Sequence, residues 1–460
     1  MIKTDLIIIG AGPGGYRAAG HAAQRGLKVV IFESVHVGGT CLNEGCIPTK
    51  SFARNAEIVQ TLKENDIFGL RNLTYDFDFQ QVVERKNEVL ASLRGGIETL
   101  LSHPNITLVR GEARFIDAHT VACSACCDSV AAVEATEETY TATNIIVATG
   151  SVSKTLRLKE PANRRVLDSS DLLQIDHLPK SLCIIGAGVI GMEFASIFSA
   201  FGTEVTVVEF LKECLPALDS DIAKRLRKVL EKRGVSFCLQ CGVTAITPDG
   251  VTYTNKKGKE ETVQADEVLM AVGRAPRVFD HFKNAGFEYD ERRGITVDDH
   301  YQTTVPGIYA IGDVNGRMML AHAAEHQAKV VIDHITGTSH RSGQTETPVP
   351  AAIFTNPEAA CVGMTEDQLK EQGIAYECRK AFHRANGKAL AMNETEGMLK
   401  LLSEPEAGRI LGCHCFGAHS ADMVQEISVL MCRETTVAQL RDMVHIHPTL
   451  SEIVLTAAES

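Results

Sequence analysis

Thr4-Asp-Leu-Ile-Ile-Ile-Gly10-Ala-Gly12-Pro-Gly14-Gly15 decides the fold of this chain. A short apolar strand, Leu6 to Ile9, runs into Gly10-x-Gly12-x-x-Gly15 and then into an Ala-rich helix, Tyr16 to Arg25. A second strand, Lys28 to Phe32, ends in Glu33. Strand, glycine triplet, helix, strand and terminal acid together form the dinucleotide-binding pattern. The first glycine makes the tight turn, the second lets backbone approach a pyrophosphate, and the third lets helix pack close to strand. The acid is placed to take a ribose hydroxyl. The free N–H groups and positive dipole end of the helix favour the phosphates.

The unit then recurs. Leu182-Cys-Ile-Ile-Gly186-Ala-Gly188-Val-Ile-Gly191 opens a second helix, and Glu204-Val-Thr-Val-Val-Glu209 closes the following strand. Gly10 to Glu33 and Gly186 to Glu209 are the same interval. A duplicated βαβ module predicts a chain that binds two dinucleotides. Thr143 to Gly150 and Ala265 to Gly273-Arg274 are buried strands ending in glycine turns, one after each module, and Gly307 to Gly312-Asp313 offers a carboxylate to a cofactor hydroxyl.

Residues 38–50, just after the first module begins, read Gly38-Gly-Thr-Cys41-Leu-Asn-Glu-Gly45-Cys46-Ile-Pro48-Thr-Lys50. Positions five apart on a regular helix point about 140° away from each other. A disulfide needs its Cβ atoms roughly 4 Å apart, so a regular helix does not join Cys41 to Cys46. Gly45 and Pro48 are residue types that bend the backbone enough for a bridge. Lys50 stands one helical turn beyond Cys46, and a nearby cation favours the reactive thiolate. Two small buried hydrophobes in a Gly-rich turn are the alternative, and the segment alone leaves both readings open. Its place between the two dinucleotide motifs favours the redox reading.

Composition sets limits. The chain has 460 residues, enough for three or four domains, and a net charge of −12, which argues against a nucleic-acid surface. No apolar run approaches a membrane span, and the first strand starts by Asp5, so neither a membrane segment nor a leader is expected. Fourteen scattered cysteines do not resemble a secreted disulfide framework; a reducing, cytoplasmic setting is expected. Cys123-Ser-Ala-Cys126-Cys127 lacks a matching second half, so no metal site is expected. Cys413-His-Cys415 reads as a strand of alternating burial with small packed side chains.

These motifs resemble the flavin-containing pyridine nucleotide-disulfide oxidoreductases, from residue 3 to about residue 455. Within that family the Cys41–Lys50 segment is similar to the lipoyl-oxidising members. So are His445-Ile-His447-Pro-Thr-Leu-Ser-Glu452 and Leu320-Ala-His322-Ala-Ala-Glu325. The resemblance implies an α/β fold with two Rossmann-like dinucleotide-binding domains and a C-terminal α+β dimerisation domain. Its expected parts are an FAD-binding domain at 1–148, an NAD-binding domain at 149–274, a central domain at 275–345 completing the FAD site, and the dimerisation domain at 346–460. It also implies cofactor contacts at Gly10, Gly12, Gly15, Glu33, Thr40, Lys50, Thr149, Gly150 and Asp313, and at Gly186, Gly188, Gly191, Glu209 and Gly273.

By the same resemblance, Cys41 and Cys46 form the redox-active disulfide, with Cys41 meeting the substrate and Cys46 the flavin. Lys50 and Glu193 are expected as an ion pair near the flavin. His447 is the candidate base, since imidazole titrates near neutrality, and Glu452 orients it. The plainer alternatives are a capping or packing role near Pro448 for His447, and for Glu452 a solvated helix start in the capping box Thr449-Leu-Ser-Glu452. Glu209, with no arginine in Phe210-Leu-Lys-Glu-Cys, favours NAD over NADP. His322 is either near the flavin or substrate channel or a packed helix-start residue. The expected reaction oxidises protein-bound dihydrolipoamide, with electrons passing through the cysteine pair and FAD to NAD. The expected partners are a second copy of the chain and lipoyl-bearing subunits of 2-oxo acid dehydrogenase complexes or the glycine cleavage carrier. A glutathione, mercuric or thioredoxin type of reductase is the runner-up. Glu209 and a tail without extra cysteines, Thr456 to Ser460, stand against it. A non-enzymatic subunit is expected to have lost part of the constellation, which is intact.

Overall fold

The computed structural model describes residues 1–125, 138–158, 162–338 and 347–460. Cys126 and Cys127, and most of the acidic stretch after them, lie outside the described residues, as does most of the polar run 336–347. The chain divides into two compact units. One comprises Met1–Ser51, Gln81–Lys154 and Gly273–Ser342, the other Phe52–Gln80, Thr155–Val272 and Gly343–Ser460.

The first unit is built on a parallel sheet in the spatial order Ile106–Phe115, Val29–Glu33, Ile2–Ile9, Glu138–Val147, Ile308–Ala310. Ile8 sits in register with both Ile31 and Ile146. Such inner strands are buried on both faces, which is why they read as unbroken aliphatic runs. Leu6, Ile7, Ile8 and Ile31 are wholly buried, each worth about 1.5–3 kcal/mol relative to exposure. Strand Thr120–Ala125 pairs antiparallel with the far ends of Ile106–Phe115 and Glu138–Val147. Helix Pro13–Gln24 begins with Pro13, whose missing N–H is not needed in the first turn. It buries Gly14, Gly15, Ala18, Ala19, Ala22 and Ala23.

In the second unit the same order returns: Ser236–Leu239, Glu204–Glu209, Ser181–Ile185, Glu267–Met270, all parallel. The duplication read from the glycine motifs is therefore a duplication of topology. The antiparallel excursion also recurs, as Gly242–Thr247, Gly250–Thr254 and Glu260–Gln264. The C-terminal part of this unit is a five-stranded antiparallel sheet in the order Ala351–Ile353, Ala359–Gly363, Ile410–Phe416, Met398–Ser403, Glu377–Phe382.

Strand Ile410–Phe416 does not alternate as expected. Six of its seven residues are buried, because it lies inside the sheet with both faces covered. Cys413 and Cys415 join the apolar cluster that includes Met423, Val424 and Ile427, so small packed side chains are what they are. On the other face Lys400, in register with His414, donates to Asp219 at 2.6 Å and to Glu366 at 2.7 Å. Lys400 and Asp219 are each 1% exposed. No helix among the described residues is long and apolar enough to cross a membrane.

Candidate active site

Each glycine triplet is tied to its strand by contacts that no side chain would permit. Gly10 has a φ of +104°, and a Cβ there would lie 2.4 Å from the Ala148 carbonyl oxygen. Its counterpart Gly186, at +103°, would meet the Ala271 oxygen at 2.6 Å. A Cβ on Gly15 would fall 1.9 Å from the Gly10 oxygen, and one on Gly191 would fall 2.1 Å from the Gly186 oxygen. The middle glycines face open ground: nothing lies within 4 Å of a Cβ on Gly188, and only the Gly39 Cα, at 3.8 Å, is near one on Gly12. Tight, open, tight is the shape a pyrophosphate needs in order to reach the helix N-terminus.

The terminal acids are already engaged. Ala11 N–H donates to Glu33 Oε2 and Val35 N–H to Oε1, both at 2.9 Å. In the second unit Ala187 N–H donates to Glu209 Oε2 at 2.6 Å and Leu211 N–H to Oε1 at 2.7 Å. Each carboxylate braces its own glycine loop while keeping lone pairs for a ribose hydroxyl.

Asp313 follows strand Ile308–Ala310 and accepts a hydrogen bond from Ser151 Oγ at 2.5 Å. Arg274 Nε donates to that Oγ at 2.7 Å, and its guanidinium reaches the Ser151 carbonyl at 2.8 Å. Burial pushes the Asp313 carboxyl up, and the Ser151 bond and the Arg274 charge pull it back. Thr149 Oγ1 donates to the Arg277 carbonyl at 2.8 Å. Gly150, at φ +75°, and Gly273, at φ +104°, shape the turns beside them. Ser151 and Arg274 were not singled out in the sequence, although Arg274 stands next to the glycine that was.

Cys41 lies on the short helix Gly39–Glu44, and Cys46 opens the helix Cys46–Lys63. Gly45 breaks the two apart, with φ −143° and ψ −110°. A Cβ on Gly45 would crowd the Thr40 carbonyl oxygen at 2.9 Å, so the break needs glycine. Pro48 is the third residue of the second helix, where its missing N–H costs nothing, and Thr49 Oγ1 donates to the Gly45 carbonyl at 2.6 Å. Thr40 and Lys50 are half-buried on either side of the pair. The two cysteines are not bridged here, and Cys41 shares a hydrogen bond with Cys46. That bond, and then burial, hold the Cys41 thiol far above its ordinary range.

The loop carrying the thiols is anchored by a residue that sequence reasoning passed over. Asn43 donates to the Gly39 carbonyl at 2.8 Å and the Val37 carbonyl at 3.1 Å, and accepts from Arg94 Nε at 2.5 Å. Arg94 lies on helix Phe79–Leu101, and no sequence spacing links it to Asn43. Tyr16 O–H donates to Glu325 at 3.3 Å; burial, then the Glu325 charge, push that phenol up to about 12. His322 is exposed at the start of helix Ala321–Ile335 rather than packed.

In the second unit His447 Nδ1 and Glu452 Oε1 are 2.9 Å apart. Glu452 Oε2 accepts from Thr449 N–H at 2.8 Å. One oxygen of Glu452 reaches back to Thr449 and the other holds the imidazole, although the helix Glu452–Glu459 is capped at Ser451 rather than at Thr449 and has no side-chain cap bond. The Thr449 N–H, and then His447, hold the Glu452 carboxyl below its ordinary value. The His447 side chain is 79% exposed, which leaves packing against Pro448 without support. Glu193, on helix Val189–Phe201, is buried and accepts from Phe354 N–H at 2.8 Å. Among the described residues no group of three or more His, Cys, Asp or Glu side chains is arranged to hold a metal ion.

Residues 4–328 match the model of the pyridine nucleotide-disulphide oxidoreductases, and residues 349–458 match the dimerisation domain of the same family. The chain belongs to this family. It is 38% identical to the dihydrolipoyl dehydrogenase of Geobacillus stearothermophilus over 462 residues, covering 100% of this chain and 96% of that protein. It is 35% identical to the enzyme of the same name from Mycoplasma pneumoniae, covering 98% and 97%. Among solved structures, the copper(II) complex of the HOCl-induced flavoprotein disulfide reductase RclA from Escherichia coli superposes with a TM-score of 0.87 at 30% identity, covering 100% of this chain and 99% of that one. LpdA from Mycobacterium tuberculosis gives 0.88 at 25% identity, with the same coverage. The family's cofactors are FAD and NAD, and the two glycine cradles with their braced acids fit two such dinucleotides. The dimerisation domain makes the working form a homodimer.

Proposed function

We propose that this chain is a dihydrolipoyl dehydrogenase, oxidising protein-bound dihydrolipoamide with NAD as the final acceptor. The observation that carries the reading is the hydrogen-bonded pair Cys41 and Cys46 at a glycine-enforced helix break, next to the first dinucleotide cradle. Full-length similarity to dihydrolipoyl dehydrogenases supports the choice of dithiol. The FAD site is assigned to residues 1–148 and 275–345, with Gly10, Gly12, Gly15, Glu33, Thr40, Lys50, Thr149, Gly150 and Asp313 holding the cofactor. The NAD site is assigned to 149–274, with Gly186, Gly188, Gly191, Glu209 and Gly273. FAD, when bound, relays the electron pair from the reduced cysteines to NAD.

In the working cycle His447, oriented by Glu452, takes the proton of one substrate thiol. The resulting thiolate attacks Cys41 of the Cys41–Cys46 disulfide, forming a mixed disulfide and expelling Cys46 as thiolate. The second substrate thiol attacks the substrate sulfur of the mixed disulfide, closing the lipoyl ring and expelling Cys41; His447 passes the proton it took to the departing Cys41 sulfur and accepts the proton of the second thiol. Lys50 and Glu193 are assigned as charged groups flanking the flavin. The lipoyl donors are subunits of 2-oxo acid dehydrogenase complexes or the glycine cleavage carrier, and the setting is cytoplasmic. The test is steady-state turnover of purified protein with dihydrolipoamide plus NAD against glutathione disulfide plus NADPH. Faster turnover of the second pair would move the assignment to the glutathione reductase type.

A further inference from the structure

Cys238-Leu-Gln-Cys241 is a second closely spaced cysteine pair, at the end of strand Ser236–Leu239 and far in sequence from the first. Between the two thiols Gln240 takes a φ of +57°, so the chain turns sharply and both side chains face one apolar cluster, with Cys183. Cys238 is half-buried, whereas Cys241 is 5% exposed. Cys238 Sγ lies 3.3 Å from Tyr253 Oη, and Tyr253 O–H donates to Glu261 Oε2 at 3.1 Å. A phenol has one proton, so the thiol donates to Tyr253 while Glu261 holds that proton. When Cys238 loses its proton, Tyr253 O–H can turn to the sulfur and stabilise the thiolate.

The turn also supports the cofactor reader. Gln240 N–H donates to the Leu211 carbonyl at 3.0 Å and Cys241 N–H to the Glu209 carbonyl at 2.9 Å. These bonds hold both sides of Phe210, the residue after the ribose-reading carboxylate. A disulfide confines its two Cα atoms to about 4.4–6.8 Å, so a bridge here imposes that spacing on the turn that positions Glu209.

We propose that Cys238 and Cys241 form a reversible regulatory disulfide that weakens NAD binding when a small hydroperoxide is present. Cys238 thiolate attacks the peroxide oxygen, giving a sulfenic acid and releasing water or an alcohol. Cys241 then attacks the sulfenic sulfur and expels water, so two electrons pass from the thiols to the peroxide. Cys183, the third thiol of the cluster, is wholly buried and lies outside the proposed exchange.

The test uses the FAD-loaded full-length homodimer, treated with limiting hydrogen peroxide and freed of reagent. NAD+ affinity is read by calorimetry without any dithiol, so the result is independent of which dithiol the enzyme oxidises. The expected result is a Cys238–Cys241 bridge in peptide mapping, with Kd for NAD+ raised by about fivefold or more, the lower range of coupling between sites. Both changes reverse with dithiothreitol and are absent from Cys238→Ser and from Cys241→Ala, whose untreated Kd matches wild type. The proposal is overturned if Cys378 and Cys432, the exposed thiols among the described residues, oxidise while the pair stays reduced. A bridge to Cys183 instead, or a Cys238–Cys241 bridge that leaves Kd unchanged, also overturns it.

Discussion

His447 and Glu452 share one short hydrogen bond on an exposed surface, and the role proposed for them is proton transfer rather than stability. Replacing His447 by Gln is expected to lower kcat for dithiol oxidation by about 10²–10⁴-fold, the usual contribution of a positioned acid–base group. Glu452→Gln keeps an oxygen for the Thr449 N–H but loses the charge facing the imidazole, so a smaller loss is expected; equal losses would mean Glu452 does more than orient. At the other end of the proposed electron path, Glu209 is the proposed ribose contact, where its carboxylate would repel a 2′-phosphate. Its replacement by Gln should narrow the ratio of kcat/KM for NAD over NADP, largely by raising the KM for NAD. If wild type already uses both cofactors equally, the carboxylate is not the reader.

At the scale of elements, the two glycine loops make paired and opposite forecasts. A Cβ at Gly15 or Gly191 collides with a backbone oxygen about 2 Å away, so an alanine at either position must push helix from strand. Gly15→Ala should yield protein deficient in bound flavin, read from the ratio of visible to ultraviolet absorbance. Gly191→Ala should stay fully flavinated yet lose NAD-dependent turnover. Loss of flavin in both variants would mean that the two cradles do not act separately. These elements were legible in sequence because aliphatic runs and glycine triplets have few other uses, and both loops adopt the turn that the spacing requires. Asn43 and Arg94 were not legible, because a bond between residues far apart in sequence leaves no periodic trace. Nor was the burial of Ile410–Phe416 on both faces: His414 and Lys400 look like solvent-facing positions until Asp219 arrives from another segment to pair with Lys400.

Over the whole molecule, the buried charges of the second unit decide acid stability. Burial works against the Glu366 carboxylate, but Lys370, Lys400 and Tyr376 overcome it and hold the group at about 2, below its ordinary 4.5. A depressed carboxyl contributes stability that is complete above the unfolded value and lost as pH falls through the folded one. The melting temperature should therefore fall between pH about 4.5 and about 2. Lys400→Met should flatten part of that slope and cost about 3–5 kcal/mol at neutral pH, since it strands Asp219 as a buried charge. Chemical denaturation of the two proteins across pH checks both numbers. The cysteine pair and the His447 base belong to different units of the chain, and the family works through a dimerisation domain. Mixed dimers of Cys41→Ser and His447→Gln are accordingly expected to regain activity, up to about half of wild type, through one site with an intact cysteine pair and an intact base. No recovery in verified mixed dimers would place the whole site within a single chain.

The braced acids carry a consequence for how this molecule can change. Glu33 and Glu209 each hold two backbone N–H groups of the loops they sit beside, so recognition and scaffolding are written in the same side chain. An evolutionary or engineered drift toward a phosphorylated ribose cannot proceed by erasing charge alone. The substitute at 209 must still offer acceptors to Ala187 and Leu211, which two different carboxylate oxygens serve; Gln keeps one acceptor and leaves the other N–H facing its amide NH2, and Ala or Val keeps none. Cofactor preference in this lineage is thus expected to be conservative for architectural reasons, even where metabolism would tolerate a switch.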